Sequence, residues 1–507
     1  MLSLVKSGAV FGIDAYIVDV EVDLAQGLPH FSTVGLPDTA VKESKDRVRA
    51  AVKNSGYEFP IQRITVNLAP ADIKKEGSAF DLPIAVAILS ASGIIAKKTL
   101  ENVCMTGELS LDGTLKPVKG VLPMAVAARD NRFERLMVPG ENAREAAVVD
   151  GVSVVPINSL PEAVSYLRGE EDIPPMVVDR REMFRVHNKY DIDFSDVRGQ
   201  AHAKRALEVA TAGGHNAIMI GPPGSGKTML AKRIPSILPE MSFEEALETT
   251  KIHSVAGKMD GKPLIATRPF RSPHHTISDA GLIGGGQIPS PGEVSLAHNG
   301  VLFLDEIPEF SKNTLEVMRQ PLEDGSVTIS RALTSITYPA RVMLVAAMNP
   351  CPCGYKDDPN NECTCSIFQI RKYKSRLSGP LLDRIDIHIE VPALKYRELK
   401  EKESEGSEAI RNRVNAAREI QYDRFRERDF FFNAGMSQKD LARFAPITQE
   451  GEALLERVMK SLRLSARAYT RIIKVARTIA DLEGVEQVLP KHLAEAVQYR
   501  SLDREGM

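Results

Sequence analysis

The chain has 507 residues, of which 43% are hydrophobic and 26% charged, and its formal net charge is −2. This length exceeds the size at which a single hydrophobic core keeps growing, so two to four domains are expected. No run of about 18 apolar residues occurs, which excludes a predicted membrane span, and the balanced charge provides no overall attraction to nucleic acid.

The first 168 residues are predicted to form a separate α/β domain. The opening sequence MLSLVKSGAVFGIDAYIVDVEV lacks the small-residue cleavage site of a signal peptide and is typical of a strand pair, so we expect a cytoplasmic protein. Residues 1–168 then alternate short strand-like runs with helical stretches. Residues 169–190 mix charge, a proline pair and little periodicity, which predicts a linker.

The remaining chain is predicted to form an α/β core followed by helices. In residues 191–395, strands rich in Val, Ile and Leu precede glycine-rich or polar loops, which is the pattern of a parallel sheet with crossover helices. Residues 396–435 predict a highly charged helical connector. Residues 436–507 show only helical periodicity and predict a C-terminal helical domain.

A phosphate-binding loop follows the strand-like run Asn216–Ile220. The loop GPPGSGKT (221–228) lies between that strand and a helical stretch, which is the context that such a loop requires. Its glycines let backbone N–H groups turn toward phosphates, Lys227 reaches the β and γ phosphates, and Thr228 ligates magnesium. The predicted nucleotide contacts in this segment are Gly221, Pro222, Pro223, Gly224, Ser225, Gly226, Lys227, Thr228 and Met229.

Two further strands end in polar side chains suited to ATP hydrolysis. The run VLFLDEIPEF (301–310) ends its apolar stretch at adjacent carboxylates, of which Asp305 would hold magnesium and Glu306 would polarise the attacking water. The next strand, RVMLVAAMNP (341–350), ends at Asn349. An asparagine there either orients the water beside the γ phosphate or caps the following turn. We favour the first role, since apolar strands that end in such groups belong side by side in a parallel sheet.

Two arginines toward the C-terminus are predicted to complete the site. Arg384 follows a turn from which its guanidinium cannot easily bend back to its own phosphate, so it is expected to act as an arginine finger on a neighbour's nucleotide. The alternative is a surface salt bridge to Asp383 or Asp386. In LSARAYTRIIKVARTIADL a basic face accompanies an apolar stripe, and Arg467 is the predicted residue that closes the lid over ATP, with Arg471 as second choice.

Four of the five cysteines lie within fifteen residues, in the segment NPCPCGYKDDPNNECTCS. In a reducing compartment this clustering favours a metal over a disulfide. Four thiolates suit a closed, tetrahedral, structural zinc site held by Cys351, Cys353, Cys363 and Cys365. A single residue separates the cysteines in each pair, where about two to four are usual, so free thiols are the alternative. The basic run RKYKSR (371–376) is a candidate contact for DNA or an adjacent subunit.

Together, and in this order, these motifs resemble the AAA+ ATPases. In that class the segment that matches DVRGQ (196–200) lines the adenine pocket, which implies that Gln200 contacts the nucleotide. The segment RPFRSPHHTISDAGLIGGGQIPSPGEVSLAHNGVLFLDEIPEF (268–310) narrows the resemblance to the magnesium-chelatase-like group, and specifically to the YifB/ComM family, whose relatives include the MCM helicases. The resemblance implies ATP and Mg²⁺ as cofactors and a homo-oligomeric ring, expected to be a hexamer.

The same resemblance implies two insertions that project toward the pore of the ring. One is a helix-2 insertion at roughly residues 274–292, and the other is a hairpin at roughly residues 325–339. Three consecutive glycines (284–286) and the alternation in SVTISRALTSITY agree with a mobile loop and a β-hairpin. Arg331, near the turn of that hairpin, either contacts a DNA phosphate or keeps an exposed tip soluble.

Residues 105–142 resemble the Lon protease domain and the related C-terminal domain of RadA. Proteolysis of that kind needs both a serine and a lysine to generate a nucleophile. The stretch that matches the segment of Lon's lysine, Leu122–Met124, contains no lysine, and AFDLPIA (79–85) has no serine at the expected place, although Ser78 lies nearby. We therefore expect a non-proteolytic domain that binds DNA or a partner.

These features favour a ring-forming ATPase that translocates on DNA. The resemblance implies branch migration in recombination or in the uptake of transforming DNA, with single-stranded or branched DNA and recombination proteins as partners. The alternative is a chelatase-like ATPase that remodels a protein or a metal–tetrapyrrole complex. A non-enzymatic DNA-binding scaffold is disfavoured, because it has no need of the water-activating carboxylate of Glu306.

Overall fold

The computed structural model describes residues 1–179, 182–184, 190–286, 289–330, 335–356, 358, 361–393, 405–428, 430–462, 464–500 and 502. The chain divides into two compact units. The N-terminal unit comprises Met1–His187 together with Ala246–Ala266, and the second unit comprises Asn188–Glu245 together with Thr267–Met507. Residues 246–266 lie inside the range predicted for the α/β core, yet by their contacts they belong to the N-terminal unit.

The N-terminal unit is built on a seven-stranded mixed sheet. The strands of this unit are β1 (Leu2–Phe11), β2 (Asp14–Ala25), β3 (His30–Val34), β4 (Arg63–Ala69), β5 (Val103–Met105), β6 (Glu108–Leu109), β7 (Leu115–Lys116), β8 (Arg135–Pro139) and β9 (Ser153–Ile157). The sheet order is β3-β4-β2-β1-β5-β8-β9, while β6 and β7 form a separate pair. Strands β1, β2 and β4 pair antiparallel and the remaining neighbours pair parallel.

Four α-helices between these strands and a fifth after β9 complete the predicted α/β domain: Thr39–Asn54, Asp81–Ala91, Val121–Asp130, Ala143–Ala146 and Leu160–Arg168. Helix Asp81–Ala91 is apolar on nearly every side, and all of its residues are buried, as expected of a central core helix. Helix Thr39–Asn54 begins after Asp38, whose carboxylate accepts a hydrogen bond from the N–H of Val41 at 2.7 Å and caps the helix.

The second unit contains the predicted parallel sheet. Its strands, with those of two small hairpins, are β10 (Ala217–Ile220), β11 (Phe270–Arg271), β12 (Gly284–Gly285), β13 (Ser290–Pro291), β14 (Val301–Leu304), β15 (Ser326–Ser330), β16 (Ser335–Pro339), β17 (Met343–Met348) and β18 (Ile387–Glu390). The sheet order is β11-β14-β17-β10-β18, and every neighbouring pair is parallel. Because β14 and β17 are buried on both faces, each is a continuous apolar run.

Two hairpins occupy the positions of the implied insertions. Strands β12 and β13 pair within residues 274–292, and strands β15 and β16 pair from Ser326 with Pro339 to Ser330 with Ser335. Alternate residues of β15 and β16 are buried, which is the period-two pattern of a half-buried hairpin. The prediction for Arg331 concerns a residue outside the described part of the chain.

Helices surround the parallel sheet and dominate the C-terminal region, as predicted. They are Ala201–Gly213, Lys227–Arg233, Asp279–Ile283, Glu293–Leu296, Lys312–Val317, Arg319–Asp324, Ile367–Lys374, Gly379–Leu382, Ser407–Arg424, Gln438–Phe444, Gln449–Leu462, Ala466–Leu482 and Pro490–Gln498. Most of helix Phe243–Ala256 belongs to the segment assigned to the N-terminal unit. The apolar side of helix Ala466–Leu482 is buried, and this helix packs against helices Ala201–Gly213 and Ser407–Arg424. Among the described helices, none is long and apolar enough to cross a membrane.

Candidate nucleotide-binding site

The glycines of the phosphate-binding loop each meet a steric requirement. Gly224 and Gly226 have left-handed backbone angles, with φ of 74° and 93°, which residues with a side chain rarely adopt. A Cβ atom at Gly221 would lie 2.0 Å from the carbonyl oxygen of Val391, so only glycine fits beside the end of β18. The loop thus wraps closely around the carboxyl ends of the central strands and leads into helix Lys227–Arg233.

Lys227 lies inside this loop and faces the end of β17. Its Nζ donates to the carbonyl oxygens of Gly221 (2.7 Å) and Pro222 (2.9 Å) and to Oδ1 of Asn349 (3.3 Å). Burial lowers the pKa of Lys227, while the two carboxylates after β14 oppose that shift. The structure therefore brings together Lys227 and Asn349, which the sequence placed 122 residues apart.

The neighbouring strand brings a carboxylate to the same point. Thr228 Oγ1 donates to Oδ2 of Asp305 at 2.8 Å, so the two predicted magnesium ligands are adjacent. Glu306 follows with φ of 50°, a left-handed conformation that is uncommon for a residue other than glycine. Its backbone N–H donates to Oδ1 of Asp305 at 3.0 Å, and its side chain is exposed to solvent. The hydroxyl and both carboxylates suit hard cations such as Mg²⁺.

The predicted adenine contact lies beside the loop. Gln200 has φ of 55°, and its side-chain amide donates to the carbonyl oxygens of Ser225 (3.3 Å) and Pro392 (2.8 Å). Gln200 and Met229 both line a cavity of about 130 Å³ at this end of the sheet. The N-terminal segment of the second unit thus reaches the phosphate-binding loop, and the cavity is a candidate place for the base.

The two predicted arginines lie elsewhere in the second unit. Arg384 and Arg467 line a cavity of about 880 Å³ together with Asn216, Met343 and Asp386, which stand at the amino ends of β10, β17 and β18. Among the described residues that line this cavity, none belongs to the phosphate-binding loop. Since the loop follows the carboxyl end of β10, the arginines lie at the opposite edge of the parallel sheet.

Both arginines are held by carboxylates at that edge. Arg384 forms an ion pair with Glu323 and donates to the carbonyl oxygen of Pro380 at 2.6 Å. Arg467 is 75% exposed and forms an ion pair with Asp383. The cavity carries seven arginines and one lysine against five carboxylates, so it is net positive and suits an anion.

The four clustered cysteines converge on one point. The Sγ atom of Cys351 lies 3.3 Å from that of Cys353 and 3.7 Å from that of Cys363, and all four sulfurs lie within 4.8 Å of one another. A tetrahedral ion with metal–sulfur bonds of about 2.3 Å separates its ligands by about 3.8 Å, so these spacings fit zinc. Backbone N–H groups of Lys356 and Cys353 donate to the sulfur atoms of Cys351 and Cys365, respectively, each at 3.3 Å.

Several neighbours of the site were not predicted from the sequence. Gly354, in the cysteine loop, packs against Pro223 of the phosphate-binding loop, and buried Tyr373 accepts a hydrogen bond from the backbone N–H of Asn349. Arg376 pairs with Glu309, in the turn after β14, at 2.7 Å. The one sequence signal was the lone tyrosine within the basic run RKYKSR, since an aromatic residue among charges commonly marks a buried helix face.

In the N-terminal unit, Ser78 and the nearby Lys75 each have a hydrogen-bond partner other than one another. Ser78 donates to Glu108, and the buried Nζ of Lys75 donates to the carbonyl oxygen of Ile73 at 2.7 Å. Leu122, which matches the segment of Lon's catalytic lysine, is fully buried in the core.

The order of the parallel sheet and the phosphate-binding loop define a P-loop protein of the AAA+ class. Three family models match the chain in sequence. "Subunit ChlI of Mg-chelatase" matches residues 20–142, "Magnesium chelatase, subunit ChlI" matches residues 193–399, and "Magnesium chelatase, subunit ChlI C-terminal" matches residues 404–500.

Relatives match over nearly the whole length. "Competence protein ComM" of Haemophilus influenzae is 45% identical over 506 residues, covering 99% of this chain and 98% of that protein. The uncharacterized protein YifB of Escherichia coli strain K12 is 44% identical with the same coverage. Lon protease 2 of Bacillus subtilis is 33% identical over 150 residues, which are 28% of this chain and 27% of that protease. The chain therefore belongs to the ComM/YifB family of magnesium-chelatase-like AAA+ proteins. Membership of this family indicates that the protein is an ATPase and suggests that it forms an oligomer.

Proposed function

We propose that this protein is a ring-forming, hexameric motor that hydrolyses ATP and uses the energy to translocate on DNA. Branch migration in recombination, or in the uptake of transforming DNA, is the proposed task. The observation that carries the proposal is the division of the predicted ATP site between two edges of one sheet. Lys227, Thr228 and Asp305 lie together at the carboxyl edge, whereas Arg384 and Arg467 lie at the amino edge.

At the carboxyl edge each side chain has a role that its position supports. Lys227 and Asn349 would contact the γ phosphate, because both lie in and beside the loop that receives phosphates. Thr228 and Asp305 would hold Mg²⁺, which neutralises charge on the transferred phosphoryl group. Glu306, exposed at the end of β14, would polarise the attacking water.

At the amino edge the arginines cannot complete the site of their own chain. Each interface of a head-to-tail ring joins two different surfaces of the chain, so in the proposed ring the amino edge of one subunit would face the carboxyl edge of the next. Arg384 would then stabilise the charge on the neighbour's nucleotide as an arginine finger. The role predicted for Arg467, closing over the ATP of its own chain, would require a position at the carboxyl edge of the sheet. Its position beside Asp383, at the amino edge, supports a role at the neighbour's ATP instead.

A subunit-mixing experiment tests this division. The variants Lys227→Ala and Arg384→Ala should each be inactive alone, since every interface then lacks one half of its site. Mixing them should restore part of the ATPase activity, because interfaces form in which one subunit supplies the lysine and the other supplies the arginine. If mixed rings stay as inactive as the separate variants, the two residues do not act across an interface.

The proposed DNA substrate rests on the family and on the hairpins. A relative at 45% identity is named a competence protein, and strands β12–β13 and β15–β16 form two hairpins where the family resemblance implies pore loops. ATP hydrolysis should be measured with single-stranded, duplex and four-way-junction DNA, using Glu306→Gln as the control. Stimulation by junctions that disappears in this variant is expected. A rate that no DNA changes would refute a DNA motor.

The family models favour one second candidate. Because three of them describe a magnesium-chelatase subunit, a chelatase-like ATPase that remodels a protein or a metal–tetrapyrrole complex fits the same site. The two candidates differ in what stimulates hydrolysis. A DNA-independent rate that rises only with chelatase partner subunits would favour the second.

A further inference from the structure

The cysteine loop, defined as residues 351–365, packs directly on the phosphate-binding loop. It begins two residues after Asn349, and Cys351 is fully buried. A Cβ atom at Gly354 would lie 2.6 Å from Cδ of Pro223 and 3.9 Å from Cγ of Asn349. Backbone of the cysteine loop therefore packs against Pro223 of the phosphate-binding loop, with no room for a side chain between them, and it lies close to Asn349.

The helix after the cysteine loop returns to the same site. Tyr373 is buried on helix Ile367–Lys374 and accepts a hydrogen bond from the backbone N–H of Asn349. Arg376 donates to the carbonyl oxygen of Pro308 at 3.0 Å and to the carboxylate of Glu309 at 2.7 Å. Residues 349–376 thus touch the phosphate-binding loop, the end of β17 and the turn that follows Glu306.

The four cysteines bring the two ends of the cysteine loop together. Cys351 and Cys353 stand at its start, Cys363 and Cys365 stand at its end, and Sγ of Cys353 lies 3.6 Å from that of Cys363. The chain between the pairs is rich in Gly, Asp, Pro and Asn, which favour turns over a regular structure that could hold the ends together. A metal bound to the four sulfur atoms would connect the two ends, since its binding free energy would order the loop that carries the ligands.

We propose that the cysteine loop is a metal-dependent clamp on the nucleotide site, through which metal occupancy sets the positions of Asn349 and Pro223 and so controls ATP hydrolysis. This proposal rests on the proposed ATPase function and extends it to a regulated step. The sheet beneath is independent of the clamp, because Met343–Met348 is buried throughout and pairs with both neighbouring strands. Loss of metal is therefore expected to change the catalytic rate far more than the fold.

The test compares full-length protein loaded with zinc and stripped of zinc by a chelator. Four quantities are measured: zinc content, kcat for ATP, the Kd of a fluorescent ATP analogue and the thermal midpoint. Stripping, or the variant Cys363→Ser, should lower kcat by tenfold or more, and added zinc should restore the rate of the stripped protein. The control Cys104→Ala removes a buried cysteine outside the cluster and should keep both zinc and rate.

A second variant separates the clamp from the metal. Tyr373→Phe keeps the packing of the aromatic side chain but removes its hydrogen bond with Asn349. This variant should therefore retain zinc and lower kcat about fivefold. Zinc-free protein with unchanged kcat and unchanged Kd would overturn the clamp. Unfolding of the second unit on chelation would also overturn it, because the metal would then hold the fold. If zinc-loaded protein hydrolyses no ATP, the proposed function fails, while the difference in Kd still decides the clamp.

Discussion

Asp386 joins the C-terminal helices to the start of β18 through a buried pair of charges. Its side chain is 2% exposed, with Oδ2 at 2.8 Å from Nδ1 of His215 and Oδ1 at 2.5 Å from Nη1 of Arg471. Burial opposes ionisation of Asp386, but the charges of Arg471 and His215 outweigh it and hold the pKa of this carboxyl well below its usual range. At pH 7 the carboxylate is therefore charged and paired.

The substitution Asp386→Asn should destabilise the second unit strongly. Removing one partner of a buried ion pair typically costs 3–5 kcal/mol, because the other charge is left without a partner. Arg471 is 25% exposed and regains some solvation, so we expect a loss near the lower limit, about 3 kcal/mol. At about 2–4 °C for each kcal/mol, the thermal midpoint should fall by roughly 6–12 °C.

The matched control is Asp383→Asn, three residues earlier. Asp383 also pairs with an arginine of helix Ala466–Leu482, but that partner, Arg467, is 75% exposed. An exposed pair contributes at most about 1 kcal/mol, so the midpoint should fall by less than about 4 °C. Thermal melts at pH 7 in low salt measure both shifts. Equal falls for the two variants would refute the reasoning that burial sets the cost.

Two further predictions concern single residues. Gly354→Ala should weaken ATP-analogue binding about tenfold, because the new Cβ would lie 2.6 Å from Cδ of Pro223 in the phosphate-binding loop and such overpacking costs about 1–3 kcal/mol. The control Gly484→Ala has similar φ strain with nothing within 4 Å and should bind normally; equal loss in both would contradict the contact. Burial raises the pKa of Asp81 to about 6, so protonation favours the folded state and this group adds stability as pH falls from 7 toward about 4. Urea midpoints of wild type and Asp81→Asn should therefore differ more in favour of wild type at pH 5 than at pH 7, and a constant difference would contradict the shift.

The sequence alone predicted which residues meet at the candidate nucleotide site. A phosphate-binding loop is a contiguous segment whose glycines and lysine act through their own backbone, so its composition is readable without the fold. Asp305 and Asn349 were also predictable, because each ends an apolar strand and the carboxyl ends of parallel strands meet at one edge. Their contacts with Thr228 and Lys227 agree with that prediction.

The sequence did not determine the features that depend on packing between distant segments of the chain. Residues 246–266 belong to the N-terminal unit although they lie between β10 and β11 in the chain. No local pattern in the sequence indicates that they pack with that unit. The roles of Arg384 and Arg467 depend on the edge of the sheet that each one reaches, which is set by how the helices pack. The periodicity of apolar residues predicts which face of a helix or strand is buried, but only the tertiary structure decides which segment packs against that face. The reason is that the hydrophobic effect has no direction, and the segments that pack together lie far apart in the chain.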